Sequence, residues 1–158
     1  MKLIIKDDIC IMFLNKLYIQ TLDFSNKVLI EKYLKHLLFK IKNKYNIEFD
    51  GYCEVILYID INYGVIIEVK QEEIEYLDYF RTPTELNIKV IEGSFLYEIY
   101  EMDKQMIKKF TIYKVHDKIY LRAKENLSTI EMGRVLENSK IIYGKEAEKI
   151  LRYGKVIK

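Results

Sequence analysis

Ile30, Leu34, Leu37 and Ile41, joined by Tyr33, Leu38 and Tyr45, recur at intervals of three and four residues. That spacing puts them on one face of an α-helix, and such a face must be covered. Elsewhere the apolar runs are short and rich in β-branched residues, such as 9–14 and 55–59. The helix is therefore expected to lie on a sheet. Its other side carries Lys27, Lys32, Lys35, Lys40, Lys42 and Lys44, with Glu31 the only acid. Asp23 or Ser25 is the expected N-cap.

Strands are expected at 3–5 and 9–14, around a polar turn at Asp7-Asp8, and at 52–59 and 65–70, where Gly64 in Asn62-Tyr63-Gly64 can take positive φ. Residues 71–83 are acidic, lose the alternation and contain the only proline. Further strands are expected at 86–91, 95–100, 110–115 and 118–122, the last pair around His116-Asp117, and a short helix at 102–109. Ser128-Thr129-Ile130-Glu131 spells a capping box, with the helix after it stopping at Tyr143-Gly144 and a final one, 145–152, at Tyr153-Gly154. The expected class is α+β: two small modules, each with helix packed on a mostly antiparallel sheet. The N-terminal β-α-β-β module spans 1–72, an acidic linker 73–83 and a C-terminal α+β module 84–158.

Charge is segregated along the chain. Residues 1–47 are net +5, residues 48–103 net −11 and residues 104–158 net +8, within a total of +2. Clustered like charges focus potential and steer partners even when the total is near zero. Half the residues are hydrophobic, which excludes a disordered chain. No run is long enough to span a bilayer and the first residues lack a signal-peptide core, so a cytoplasmic location is expected. Cys10 and Cys53 lie in strand-like runs and are expected to be buried free thiols.

No combination of residues points to a reaction. Two cysteines and two histidines are scattered, which offers no zinc site; no phosphate-loop motif occurs, and His36 and His116 have no evident catalytic partners. We expect no catalytic residues, no metal and no cofactor. The acids of the middle third read as solvated residues, or as a docking surface for a basic partner or for the basic arms of a second copy in a homodimer. The lysines of the first helix could meet phosphates, but the near absence of Arg there disfavours specific base contacts.

The run Phe110-Thr111-Ile112-Tyr113-Lys114-Val115-His116-Asp117-Lys118-Ile119-Tyr120-Leu121, then Ile142-Tyr143-Gly144 and Leu151-Arg152-Tyr153-Gly154-Lys155-Val156-Ile157, resembles the C-terminal domain of MecA-type adaptor proteins. In the N-terminal half, Asp7-Asp8-Ile9 and Tyr63-Gly64-Val65-Ile66-Ile67-Glu68-Val69-Lys70 are similar to the same family, whose linker is longer, whose first helix is more acidic and whose chain carries further residues after the Gly-Lys segment. The resemblance implies a non-catalytic cytoplasmic adaptor that delivers clients to a ClpC-type ATPase for regulated proteolysis. The expected partner-docking residues lie in the basic C-terminal third, Tyr113, Lys114, Lys118, Tyr120, Arg152, Tyr153 and Lys155; Lys32, Lys35 and Lys40 are the expected client-binding residues. The alternative is a small nucleic-acid-binding regulator that uses the same helix lysines and the basic C-terminal third.

Overall fold

A computed structural model describes residues 2–6, 8–16, 20–47, 49, 51–71, 85–101 and 103–157. The stretch expected as a linker, 73–83, lies outside them. The described residues form ten strands and four helices in two five-stranded sheets, an α+β fold. They divide into two compact units, Met1–Leu57 with Gly64–Ile91, and Tyr58–Tyr63 with Glu92–Lys158.

In the first unit β1 (Lys2–Lys6), β2 (Ile9–Asn15), β3 (Tyr52–Asp60), β4 (Gly64–Gln71) and β5 (Glu85–Glu92) are ordered β1-β2-β4-β3-β5. Antiparallel register sets Ile5 opposite Cys10 and Cys10 opposite Val69, then Leu3, Met12 and Ile67 in the next row. Facing residues share one side of a sheet, and helix α1 (Lys27–Tyr45) covers this side with Ile30, Leu34, Leu37, Leu38 and Ile41 buried. Ile30, Tyr33 and Leu34 line a small apolar pocket with Leu14, Leu57, Val65 and Ile67. Cys10 and Cys53 are buried and unpaired with each other, and burial pushes the Cys10 thiol up to about 11.

Neither expected residue caps α1. Asn26 does, its Oδ1 accepting from the Leu29 amide at 3.3 Å. The Asp23 carboxylate accepts instead from the Ser25 hydroxyl and amide, at 2.6 and 2.9 Å, forming a small turn ahead of the helix. At the other end Asn46 takes a left-handed conformation (φ 56°) and closes the last turn onto the Lys42 carbonyl. Tyr45, the last residue of the helix, is exposed rather than on the buried face. Gly64 has φ 143°, and a Cβ there would lie 2.1 Å from the Leu14 carbonyl oxygen. Only glycine fits that approach of β4 to β2. The strand β5, expected with the C-terminal module, is the edge strand of this first sheet, because its partner β3 lies far back in the chain.

The second unit contains β6 (Leu96–Ile99), α2 (Lys104–Ile107), β7 (Phe110–Val115), β8 (Lys118–Ala123), α3 (Thr129–Glu137), β9 (Ser139–Ile142), α4 (Gly144–Tyr153) and β10 (Lys155–Ile157), in sheet order β10-β7-β8-β6-β9. The β7–β8 turn holds His116 at φ 53°. The capping box forms as expected: Ser128 Oγ accepts from the Glu131 amide and Glu131 from the Ser128 amide. The stop for α3 comes earlier, at Asn138, because 139–142 leave the helix to pair with β6. Gly144 begins α4 instead of ending α3, with φ 63° and the Tyr58 ring 3.0 Å from where a Cβ would stand.

Both faces of this sheet carry buried residues. On one, Leu96, Tyr120 and Ile142 pack with Ala147 and Ile150 of α4. On the other lie Tyr97 and Leu121, and the Tyr97 hydroxyl donates to Met132 Sδ of α3 at 3.8 Å. Tyr63 meets Tyr97 edge-on, ring centroids 5.0 Å apart, and its hydroxyl accepts from the Ala123 amide at 2.6 Å. Asp60, 5% exposed, accepts from the Asn62 amide with one oxygen and from the Phe95 amide with the other, at 2.9 and 2.7 Å. Burial raises its pKa against the pull of those donors and of Arg122.

Candidate functional site

The residues expected to dock a partner fall in two stretches of sequence, and the second sheet brings them together. Strand β10 pairs antiparallel with β7, placing Lys155 opposite Lys114 and Val156 opposite Tyr113; β7 in turn places Tyr113 opposite Tyr120 and Lys114 opposite Ile119. Gly154 makes the turn from α4 into β10 feasible. Its amide donates to the Ile150 carbonyl at 2.7 Å, and a Cβ would stand only 2.5 Å from that oxygen.

Alternation across the strands then sorts these residues by face. Tyr120 is 5% exposed in the cluster beneath α4 and Tyr113 is half-buried against it. Tyr120 is thus a core residue of the sheet, where its ring has no free surface to offer. Lys118 is exposed at the hairpin end, and its ammonium lies 3.1 Å from the Glu98 carboxylate. That contact, chiefly a hydrogen bond to Glu98, raises the Lys118 pKa. Arg152 and Tyr153 lie in the last turn of α4, and Tyr153 is 73% exposed.

On the other face, Lys155 and Lys114 stand side by side with Ile119, and Ile157 and Ile112 form the next row. Like charges directly opposite each other destabilise a sheet. Among the described residues neither lysine has an ion-pair partner, and both are exposed. Ile119 and Ile157 are each more than a third exposed beside them. This corner joins two unneutralised ammonium groups to bare aliphatic surface. It can take a carboxylate-bearing partner with an apolar residue nearby.

The first unit carries the second basic surface. Lys32, Lys35 and Lys40 are exposed on α1, as the helical period requires. Lys35 pairs with Glu31 one turn back at 3.1 Å. Sequence reading missed the apolar residues on this outer side: Val28, Leu29 and Phe39 are 75, 47 and 60% exposed. The signal was present, since Val28 and Phe39 are eleven positions apart, three turns of helix.

Among the described residues, no group of three or more His, Cys, Asp or Glu side chains is placed to hold a metal ion, and no helix is long and apolar enough to cross a membrane. No family model, no curated protein and no solved structure matches this chain.

Proposed function

We propose that this chain is a non-catalytic adaptor in the manner of the MecA-type proteins it resembles, docking through its second unit on a Clp-type ATPase and holding a client on its first. The observation that carries this reading is the corner at β10 and β7. Opposing Lys114 and Lys155 costs the fold stability, and the adjacent exposure of Ile119 and Ile157 adds apolar surface to the same patch. An acidic partner surface would relieve both at once. Association of this kind needs no chemistry, only charge and shape.

The test is binding of the purified protein to a ClpC-type ATPase, with ATP turnover as a second readout. Wild type should bind and stimulate turnover. Lys114→Glu with Lys155→Glu should slow association by ~10-fold or more at low salt, because charges at an interface rim act mainly on encounter. Absence of binding at ~50 μM and low ionic strength would remove the proteolytic-adaptor reading. The competing reading, a nucleic-acid-binding regulator, requires duplex DNA to bind with an affinity that falls by ~10³ or more between low and moderate salt.

A further inference from the structure

The outer side of α1 is not an ordinary solvated face. Taken at 100° per residue, Val28, Lys32, Lys35 and Phe39 fall along one ridge, turned away from the buried side defined by Ile30, Leu37 and Ile41. At the summit of that ridge a soluble helix ordinarily carries charge, yet its two ends are the most exposed apolar residues of the helix, about 16 Å apart by helical rise. Leu29 and Lys40 lie about 100° round on one flank of the ridge, next to Val28 at one end and Phe39 at the other. The helix carries six lysines and one acid. Among the described residues Lys32 and Lys40 have no ion-pair partner.

We propose that this ridge holds an acidic amphipathic helix of a partner protein, its apolar residues set on Val28 and Phe39 and its carboxylates on Lys32, Lys35 and Lys40. The inference rests on the reading of the first unit as the client-holding part and names the chemistry of the client. Charge decides among occupants. A second copy docked by the same ridge would set lysine against lysine. Nucleic acid would satisfy the lysines but leave Val28 and Phe39 desolvated against phosphate, and α1 has no Arg for base edges. An acidic helix with apolar anchors satisfies both kinds of residue along the same line, the groove-docking mode run with opposite charge.

The experiment uses the full chain and four probes: a synthetic Leu/Glu amphipathic helical peptide of about 20 residues, poly-glutamate of the same length, duplex DNA and phosphatidylserine vesicles. Wild type should bind the Leu/Glu peptide at least ~10-fold more tightly than poly-glutamate, and Phe39→Ser should remove that preference. Lys32→Glu with Lys35→Glu should abolish binding of both peptides. Because Phe39 and Val28 are exposed, melting should not change; if Phe39→Ser lowers it, Val28→Ser gives the same reading independently. Equal affinity for the two peptides, no binding to either, or a tighter grip on DNA or vesicles that ignores Phe39→Ser would each overturn the proposal. The ATPase assay probes Lys114 and Lys155 in the other unit, so the two readings can fail separately.

Discussion

The two units put positive charge on their surfaces by different means. In the first, six lysines sit on one helix at the spacing its period dictates, while the sheet adds scattered exposed ones such as Lys6, Lys70 and Lys89. In the second, Lys114 and Lys155 are brought face to face by pairing between strands 41 positions apart in the chain. A helical charge face costs almost nothing to build, because its residues are separated by a turn and solvated. A cross-strand lysine pair has ordering and repulsion built in. The sheet corner is therefore the more specialised surface, and the helix owes its distinctiveness to Val28 and Phe39 instead of to its charge.

The same contrast predicts where each unit breaks. Among the described residues the first unit rests its core on one long helix, so Leu34→Asp, which puts a charge at a site 1% exposed, should cost several kcal/mol and expose the amides of α1 and β4 to rapid exchange. Wild-type exchange in that mutant would show that α1 does not close the core. The second unit depends on buried polar bonds as well. Asp60→Asn replaces one of two acceptor oxygens by an NH2 group, so either the Asn62 or the Phe95 amide loses its acceptor. We expect a loss of about 1–3 kcal/mol in denaturant unfolding; a neutral result would mean that the two amides find other acceptors.

A smaller effect should come from the start of α3. Ser128→Ala removes the acceptor for the Glu131 amide and should cost about 1 kcal/mol. Acid should act in the same direction. Glu131, held chiefly by Lys109 and then by the Ser128 amide, has its pKa lowered from 4.5 to about 2. A depressed carboxylate contributes stability above its unfolded value and loses it as pH falls, so the α3 cap should weaken between about pH 4.5 and 2. Amide exchange at Glu131 that stays flat over that range would contradict the assignment.

What could be read from the chain follows the range of the forces involved. The α1 face, the capping box and the glycine turn at Gly64 are local and were legible. So was the burial of Cys10 and Cys53, which follows from strand alternation. Strands β9 and β10 were not, because 139–142 and 155–157 are too short to show a period, and they become strands only when β6 and β7 supply the partner edge. For the same reason Gly144 reads as a helix stop although it starts α4, and β5 reads as part of the wrong sheet. The burial of Tyr120 beneath α4 was not legible either, because alternation says which residues share a face but not which face is covered. The α1 lysines were legible and the exposed Phe39 among them was not, since its helix already had a sufficient apolar face.

The smallest expected effect is also the sharpest test of the contrast between the two surfaces. Lys155→Glu replaces a cross-strand lysine pair by a carboxylate facing Lys114, an attractive arrangement on the same face. Exposed pairs of this kind differ by about 0.2–1 kcal/mol between like and opposite charge, so the variant should be slightly more stable than wild type in low salt. The gain should shrink as salt is added. Lys32→Glu on α1 has no cross-strand lysine to relieve, only its i,i+3 neighbour Lys35, and should leave stability within about 0.5 kcal/mol of wild type. If Lys155→Glu stabilises the chain while weakening its hold on an acidic partner, the corner retains a destabilising charge for the sake of binding. If Lys155→Glu and Lys32→Glu behave alike in stability and in salt dependence, the cross-strand pair is solvated like any helix lysine, and the difference between the two basic surfaces disappears.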